Sequence, residues 1–518
     1  MKRLSLARHV VVLLVALVVC LPPGVALVRD LTDAGLAAPN RTPQRAITLH
    51  RDLTPRIARW ARDHVASGRA AHFSLHDVPT TEWPIFTAVF YLLGTEQLEA
   101  AWRRGELGDA PEPMSYARVA VDAARDLVVD PVHHTWVRTH WGDDYLHREN
   151  VFFRALVISA LTSHRVLTGD RSDEPMLRDQ VETLSSALDA SPLGLLNDYP
   201  HECYPIDVVV AVAWIRHADA VLGTDHSAFV ARELRAFTGA EADDHDLVRY
   251  RVDLTRGAVH AHEVQPARGI GMSWILVFTP DLWPTESRDW YARYERDFWQ
   301  DHGWASGFRE YAAGTELENG FEIDAGPVLD GFGTAASAFG IAAARRNGRF
   351  DQAYALETEM SAASWTLPDG TMLFPRMISH AADAPYLGEA ALQYFLTVPP
   401  AEGVAIVPAT AGPSGLVYFG LLVYLGVPLL ALLSLVRALT REAAARKLKA
   451  CSSTVPNERP SGAPNELAPS STLISPSNTT TKIDPSALSQ RTSASTTTIT
   501  TGSSGSSAPR TDTRPSAS

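Results

Sequence analysis

Cysteine is scarce in this chain, which contains only three among its 518 residues. Cys20 lies in an apolar N-terminal segment and Cys451 lies beyond a second apolar run, so Cys203 is alone in the long region between them. A lone thiol excludes a framework of intramolecular disulfides in that region. The composition therefore does not indicate a small disulfide-rich fold.

Excess positive charge and the common cofactor motifs are also lacking. With 46 basic and 59 acidic residues, the formal net charge of −13 argues against a nucleic-acid partner. The sequence has no glycine-rich phosphate loop, no dinucleotide fingerprint and no G-x-S-x-G nucleophile elbow. His133, His134 and His140 are close in sequence, but they do not form a zinc-binding pattern. We therefore predict no metal and no cofactor.

Two long apolar runs lie near the ends of the chain. Residues 1–28 place three basic residues before an apolar run, which is typical of a signal peptide or of an uncleaved signal anchor. Residues 415–436 carry no charge and are long enough to cross a bilayer core of about 30 Å. This second run predicts a transmembrane helix.

Charge around the second apolar run predicts its orientation. Five basic residues lie between 437 and 449, and basic residues favour the cytoplasmic side of a membrane. Residues 29–412 should then be extracytoplasmic, at the bacterial cytoplasmic membrane. Residues 437–518 form a basic segment followed by a Ser/Thr/Pro-rich tail that cannot bury enough apolar surface to fold, so a disordered cytoplasmic tail is predicted.

Between the apolar runs, amphipathic helical segments alternate with apolar segments rich in small residues. The amphipathic segments repeat apolar residues at helical spacing and cover 54–67, 115–129, 174–190, 226–237, 287–300 and 349–365. Examples of the apolar segments cover 151–167, 205–222, 268–278 and 326–346. The amphipathic helices should lie outside and the apolar helices inside, where they pack on both faces.

A polar segment precedes each apolar helix, and there are six of them. Their starts are 65, 57, 66, 55 and 64 residues apart, and they begin at His76, Trp141, Asp198, Val264, Asn319 and Asp383. Repeated helix pairs indicate a solenoid or a closed toroid. Six pairs, with one helix of each pair buried on both sides, predict an all-α (α/α)6 toroid with transmembrane helices at both ends.

In a toroid the six polar segments would gather at one end and form a single concave site. Several carboxylates in one cavity raise one another's pKa and can serve as general acid and base, while aromatic rings stack on sugars or line an apolar cavity. The candidate catalytic residues are Glu82, Glu202, Cys203, Asp207 and Asp324. The candidate substrate-binding residues are Trp83, Tyr145, His147, Tyr199, His201, Arg268, Arg309 and Glu389.

Several of these residues also have a structural interpretation. Pro205 suits the first position of a helix and puts Asp207 at the third, where a carboxylate meets free amides. Glu82 and Asp324 likewise precede Pro84 and Pro327, which could start helices. Cys203 is a small buried hydrophobe in one interpretation. In another it is an acid/base group or nucleophile whose pKa is lowered by His201 and the helix N-terminus.

Two blocks carry a resemblance to a known family. "NVFFRALVISALTSHRVLTGD" (150–170) and "LGLLNDYPHECYPIDVVVAVAWI" (193–215) resemble the linalool dehydratase/isomerase-like (α/α)6 family, in which a helix ending in "TGD" precedes a Cys-Glu-Pro-Asp-containing loop. Residues 267–278, 306–311 and 323–345 look more like uncharacterised bacterial membrane-anchored proteins related to that group. The resemblance spans about Trp83 to Tyr394.

The resemblance implies cofactor-free movement of protons and water on an allylic alcohol, with Glu202, Cys203 and Asp207 in the corresponding loop. Two departures weaken this implication. The family enzyme uses more than one cysteine, whereas this region has only Cys203, and Arg154 lies where the family has a histidine.

Three functions remain open from the sequence. The first is an extracytoplasmic acid–base hydrolase, lyase or epimerase acting on a glycan-like substrate, with Glu202 or Asp207 opposite Asp324 or Glu82. The second is a linalool dehydratase/isomerase-like lyase or isomerase acting on a small hydrophobic alcohol. The third is a non-catalytic envelope binding protein. The sequence gives no indication of the oligomeric state.

Overall fold

α-Helices dominate the computed structural model, which describes residues 2–39, 41–72, 78–254, 265–315, 319–322 and 324–452. The predicted disordered tail lies outside these residues except for its first positions. The α-helices begin with α1 (Lys2–Leu31), α2 (Ala34–Ala37), α3 (Gln44–Ser67), α4 (Val78–Arg103), α5 (Pro113–Val129), α6 (Thr135–Trp141), α7 (Val151–Thr168), α8 (Glu174–Ala190) and α9 (Pro205–Leu222). They continue with α10 (Ser227–Glu233), α11 (Gly269–Ile275), α12 (Thr279–Leu282), α13 (Pro284–Phe298), α14 (Thr334–Arg346), α15 (Phe350–Ser364), α16 (Leu373–Ser379), α17 (Leu387–Thr397) and α18 (Gly415–Ser452). The predicted mostly helical fold class is confirmed.

Helix α9 has the boundaries that its sequence predicts. Pro205 occupies the first turn, where its missing N–H costs nothing, and Asp207 lies in the same turn near the free amides. The helix ends at Gly223, whose φ of 68° is left-handed and which donates its N–H to the carbonyl of Asp219. The prediction of a helix over 205–222 is therefore confirmed.

Two predicted helix starts are wrong. Residues 326–333 form strands rather than helix, and α14 begins only at Thr334. Gly326 and Gly331 have φ values of 65° and 80°, which a regular helix cannot contain. Glu82 does not precede a helix either, because α4 begins at Val78 and Glu82 lies inside it.

The strands are short and antiparallel. Strand β1 (Trp299–Asp301) pairs with β2 (Ser306–Phe308), with Trp299 opposite Phe308. Strand β4 (Gly326–Leu329) pairs with both β3 (Gly320–Glu322) and β5 (Phe332–Gly333). This hairpin immediately precedes α14 and carries Asp324 in the turn between β3 and β4.

Six apolar helices contact one another in sequence order. Helix α4 packs against α7, α7 against α9, α9 against α11, α11 against α14, α14 against α17, and α17 against α4. Amphipathic helices cover them, because α3 contacts α5 and α17, α8 contacts α7 and α9, and α15 contacts α14. That the six helices form the inner ring of an (α/α)6 toroid stays a prediction.

Aromatic side chains from these helices pack together in what we call the aromatic centre, defined as Phe90, Trp214, Trp274, Phe339 and Phe395. The ring centroids of Phe90 and Phe395 are 5.5 Å apart, and those of Trp274 and Phe339 are 5.3 Å apart. Most pairs meet edge to face, the arrangement that aromatic quadrupoles favour. The centre joins five of the six apolar helices.

Three helices in the described part of the chain are long and apolar enough to cross a membrane, within Leu6–Leu31, Val151–Thr168 and Gly415–Lys449. The second of these is α7, which is 78% buried by its neighbours and belongs to the interior of the domain. The first and third are only 28% and 22% buried. Their exposed apolar surface indicates membrane association.

Helices α1 and α18 pack closely against each other. A Cβ atom on Gly24 would lie 2.9 Å from Leu425 Cδ2, and one on Gly420 would lie 3.4 Å from Leu27 Cδ2. Position 24 therefore faces 425 while position 27 faces 420, so the two helices run antiparallel. Small residues permit this close approach, as they do between helices in membranes.

A buried ion cluster attaches α1 to the domain. Arg45 Nη1 lies 2.5 Å from Asp30 Oδ2 and 2.5 Å from Glu357 Oε1, and Ser361 donates a hydrogen bond to Asp30. The three charged side chains are at most 10% exposed. Two carboxylates share one guanidinium, so the cluster depends on Arg45.

We expect Arg45→Met to destabilise the folded chain by about 3–5 kcal/mol, because it leaves two carboxylates buried without a cation. Thermal unfolding in detergent, followed by near-UV circular dichroism, measures the effect. Arg118→Met is the matched control, since it breaks an exposed pair with Asp122 on α5 and should cost less than about 1 kcal/mol. Equal losses for the two variants would contradict the importance of the buried cluster.

Candidate active site

The loop before α9 is held by one buried carboxylate, that of Asp198. Its two oxygens accept hydrogen bonds from the backbone N–H groups of Phe152 and Tyr204, each at 2.9 Å. Asp198 thereby ties the first turn of α7 to the start of α9 and is 2% exposed. Asp198 is not among the residues predicted from the sequence, although its position at the start of the polar segment was the available signal.

Four carboxyl groups interact with one another at the N-terminal ends of α4 and α9, in the loop before α9 and in the β3–β4 turn. We call Glu82, Asp198, Asp207 and Asp324 the acid cluster. Burial raises the pKa of Glu82 to about 8, and the charges of Asp324 and Asp198 add to this rise. The Tyr199 hydroxyl donates a hydrogen bond to Glu82, and this bond partly offsets the rise in its pKa. Glu82 is therefore protonated at neutral pH.

Asp207 also favours its protonated form. Burial raises its pKa well above the usual value for an aspartate, and repulsion from Asp198, Glu82 and Asp324 raises it further. Its side chain nevertheless keeps part of its surface accessible. Asp324 differs, because it is exposed and accepts a 2.8 Å hydrogen bond from the Tyr250 hydroxyl. Burial also raises the pKa of Asp198, to about 8. The cluster thus combines three carboxyls with raised pKa values and an exposed fourth, Asp324.

Arg268 supplies positive charge beside the acid cluster. Its Nε lies 2.7 Å from Glu310 Oε1, and its Nη2 is paired with Glu322. Its guanidinium also lies 4.5 Å from the ring centroid of Tyr250, the residue that donates to Asp324. The sequence predicted Arg268 in the site, but Tyr250 follows no motif and was missed.

Half-buried aromatic rings lie one helical turn below Glu82. Phe86 follows Glu82 by four residues on α4, so both occupy the same helix face. The Phe86 ring centroid is 5.7 Å from Phe152, 5.7 Å from Trp274 and 6.5 Å from Phe339. The acid cluster therefore has apolar neighbours on the side of the aromatic centre.

Glu202 and His201 lie further out in the same loop. Glu202 accepts a 3.1 Å hydrogen bond from the Tyr204 hydroxyl and lies 3.2 Å from Arg251, so its charge is already paired. His201 is exposed and has a left-handed φ of 71° at the tip of the turn between Tyr199 and Glu202. These two predicted residues border the cluster without joining its interior.

Cys203 is fully buried, and its backbone carbonyl accepts a hydrogen bond from Val252 N–H at 3.0 Å. Burial raises the pKa of the thiol well above its usual value, and the charges of Asp198, Asp207 and Glu149 raise it further. The expected lowering of this pKa by His201 and the helix N-terminus does not occur. A protonated, buried thiol fits the structural interpretation of Cys203.

The other predicted binding residues have partners elsewhere. Tyr145 bonds to His134 at 2.9 Å, and His147 is exposed and pairs with Asp144 and Asp179. Arg309 donates to Gln300, and Glu389 accepts from the Met372 N–H. Trp83 is half-buried beside Glu82. Of the predicted binding residues, Tyr199 bonds directly to Glu82 of the acid cluster, and Arg268 lies over the ring of Tyr250.

Within the described ranges, no group of three or more histidine, cysteine, aspartate or glutamate residues has an arrangement that could hold a metal ion. No protein-family model matches the sequence, and no curated protein is significantly similar to it. The resemblance to linalool dehydratase/isomerase therefore stays a prediction.

We expect Glu82→Gln to change how stability depends on pH. In the folded chain Glu82 stays protonated up to about pH 8, whereas in the unfolded chain it ionises near pH 4.5. Unfolding therefore releases a proton between these values, and wild-type stability falls as the pH rises through this window. Glutamine cannot ionise. The free energy of unfolding of the variant, relative to that of wild type, should therefore rise by on the order of 3 kcal/mol between about pH 5 and about pH 8.5.

Unfolding temperatures of the two proteins across this pH range provide the measurement. Glu402→Gln is the control, because Glu402 is exposed. A difference that stays constant with pH would show that Glu82 does not hold its proton in the folded chain.

Proposed function

We propose that this chain is a membrane-anchored, extracytoplasmic acid–base enzyme of the (α/α)6 class, acting as a hydrolase, lyase or epimerase on a glycan-like substrate. The observation that carries this proposal is the acid cluster. Glu82 and Asp207 have raised pKa values, and Asp324 reaches the same place from a different loop. Carboxyls whose pKa values are raised by their surroundings are the usual candidates for general acid and base roles.

The toroid assignment is supported by the order of helix contacts. Each of α4, α7, α9, α11, α14 and α17 contacts the next, and the last contacts the first, which is the pattern of a closed ring. The N-terminal ends of these helices carry Glu82, Phe152, Asp207, Arg268 and Glu389. A ring of parallel inner helices would gather these positions at one end.

In the proposed reaction, Glu82 is the general acid and Asp324 is the base. Glu82 holds a proton at neutral pH and can transfer it to a leaving oxygen. Asp324 is exposed, and Tyr250 orients it through its hydroxyl. Asp207, whose pKa is raised by burial and by the neighbouring carboxyls, would bind a substrate hydroxyl or take the acid role.

A glycan-like substrate suits the chemistry around the cluster. Sugar hydroxyls pair with carboxyls, tyrosine hydroxyls and guanidinium groups, all of which lie at this site. The apolar face of a sugar ring stacks on aromatic side chains such as the half-buried Phe86 and Phe152. The proposed ligand thus meets polar groups on one side and apolar rings on the other.

The half-buried aromatic rings also favour a second candidate function. A small hydrophobic alcohol could occupy the apolar side while the acid cluster protonates its hydroxyl, as the resemblance to linalool dehydratase/isomerase implies. The burial of Cys203 weighs against a catalytic thiol in this reaction. A non-catalytic envelope protein remains the third candidate, and it would bind such ligands without converting them.

We expect Glu82→Gln, Asp207→Asn and Asp324→Asn each to lower turnover by about 10²-fold or more, because each removes a proton donor or acceptor. A panel of envelope glycan fragments and small allylic alcohols, with products followed by mass spectrometry, measures turnover and separates the first two functions. Cys203→Ser and the exposed Glu402→Gln serve as controls and should retain activity. Full activity in all three acid variants, or loss of activity in correctly folded Cys203→Ser, would contradict these roles.

The location at the bacterial cytoplasmic membrane is supported by the helix pair α1 and α18. Because the pair is antiparallel, the basic residues before position 9 and those after position 436 lie at the same end. Basic ends favour the cytoplasmic side, which leaves residues 29–412 outside. The tail would then be cytoplasmic.

We expect a membrane-impermeant maleimide to label Val119→Cys, in a chain that also carries Cys20→Ser and Cys451→Ser, on intact spheroplasts. Val119 is an exposed residue of the outer helix α5. A second chain that keeps Cys451 and carries Cys20→Ser is the matched control, and its label should appear only after the membrane is permeabilised. The reverse pattern would contradict the proposed orientation.

A further inference from the structure

Helix α1 runs antiparallel to α15, and three hydrogen bonds define their alignment. The Tyr354 hydroxyl donates to the carbonyl of Leu31 at 3.2 Å, and the Trp365 Nε1–H donates to the carbonyl of Val19 at 3.2 Å. Between them, Ser361 donates to Asp30. The N-terminal part of α1 therefore lies beside the C-terminal end of α15.

The C-terminus of α15 lies at the end of the domain that carries the acid cluster. Helices α14 and α15 are antiparallel neighbours, so the end of α15 is level with the start of α14, which follows the Asp324 hairpin. The opposite end is marked by Arg345 at the end of α14. Its side chain donates to Gly35, just beyond α1, and to Val398, just beyond α17.

Helix α1 therefore leaves the domain at the acid-cluster end, and α18 does the same. The segment before α18 contacts the opposite end, where Val407 N–H donates to the Gly348 carbonyl at 2.8 Å. Further along, the Tyr424 hydroxyl donates to the carbonyl of Ala362, near the end of α15. The remaining apolar lengths of both helices extend beyond the acid-cluster end.

An exposed apolar surface lies at this same end. Leu373, Phe374, Met377 and Ile378 of α16 are 37%, 52%, 66% and 45% exposed. Helix α16 follows the end of α15 and precedes α17, and the Met372 N–H before it bonds to Glu389 in the first turn of α17. Four large apolar side chains on a seven-residue helix are unusual for a surface in contact with water.

Other apolar residues near this end agree with a membrane interface. Phe321 and Leu329, on the hairpin that flanks Asp324, are 66% and 60% exposed. Trp365 lies between the end of α15 and α1, and tryptophan is enriched where membranes meet water. Arg376 on α16 packs over the ring of Tyr386, as interfacial arginines do when they keep their charge toward the polar layer.

We propose that the acid-cluster end of the domain faces the bilayer, with α16 immersed in its interfacial layer, and that the substrate is a membrane-borne amphiphile whose polar group reaches the acid cluster from the lipid. The second half rests on the proposed function, because it names the substrate class of that same site. The first half depends only on the direction of α1 and α18 and on the exposed face of α16.

This arrangement explains why polar and apolar groups adjoin at the site. A hydroxyl-rich head group would meet Glu82, Asp207 and Asp324, while its lipid chain would remain in the membrane along α16. The substrate would then not have to dissolve in water, because α1 and α18 hold the acid-cluster end at the membrane surface where such lipids are concentrated. The opposite end, around Gly348, would face away from the membrane.

Fluorescence depth measurements test the orientation without any assay of activity. The full-length chain, with Cys20→Ser and Cys451→Ser, carries an environment-sensitive fluorophore at Met377→Cys in nanodiscs of phosphatidylcholine and phosphatidylglycerol. Ile406→Cys is the matched control, because Ile406 is apolar, 40% exposed and near Gly348 at the opposite end. We expect blue-shifted emission and strong quenching by spin-labelled lipid at position 377 only.

Two results would overturn the orientation. One is water-like emission at both positions. The other is emission at position 377 that is shielded from soluble quenchers but insensitive to spin-labelled lipid, which would indicate a protein partner on α16.

The substrate class is tested with the double variant Phe374→Asp/Met377→Asp. Both residues are exposed, so the unfolding temperature should stay unchanged. Turnover of a lipid-linked glycan in vesicles should fall about tenfold, as expected for lost apolar contact, while a soluble glycan fragment is converted at the wild-type rate. Equal turnover of the vesicle-borne substrate by the variant and the wild type would overturn the lipid-borne substrate.

Failure of the two proposals can be told apart. If the fluorophore at position 377 lies in lipid but neither the lipid-linked nor the soluble glycan is converted, the proposed function and the substrate class are overturned and the orientation stands. If the fluorophore lies in water and the soluble fragment is converted, the orientation and the lipid-borne substrate are overturned and the proposed enzyme is supported.

Discussion

The packing of the aromatic centre is the interaction on which the rest of the structure depends. Phe90, Trp214, Trp274, Phe339 and Phe395 come from five different helices, and their edge-to-face contacts fix how those helices meet. Phe86, one turn after Glu82 on α4, packs against Phe90 and Trp274 of this centre. Burial of Glu82 beside this packing raises its pKa.

Each apolar helix satisfies its own backbone and carries few charged side chains beside the aromatic centre. Some polar groups lie beyond this centre, as Glu96 does with Ser163 and His217. Others lie where the chain enters the apolar helices. There Asp198 fixes the loop before α9 through two amide hydrogen bonds, and Arg268 offsets Glu310 and Glu322. Acids that would be ionised in water are left next to one another in a site with little compensating charge.

Much of this architecture could be predicted from the sequence. Helical periodicity predicts both ends of α8 and α9 correctly, because the spacing of their apolar residues and Pro205 at the start of α9 are local signals. The prediction of a helix over 326–333 is wrong, because the apolar residues of this segment suit a helix or a strand. The left-handed glycines and the pairing with neighbouring strands make it a strand. Asp207 and Glu82 were identified as site residues, whereas Asp198 and Tyr250 were not. Asp198 had only its place at the start of a polar segment as a signal, and nothing local distinguishes Tyr250.

The sequence by itself determined the mostly helical class, two apolar segments with the character of membrane spans, and the polar segments that supply the site. Each depends on composition or periodicity over a short stretch, which the chain carries wherever it folds. Only the tertiary structure decided which carboxylates meet, that Cys203 is buried among negative charges, and that α1 and α18 leave the domain beside the acid cluster. These features depend on contacts between residues far apart in sequence, and such contacts have no local signature.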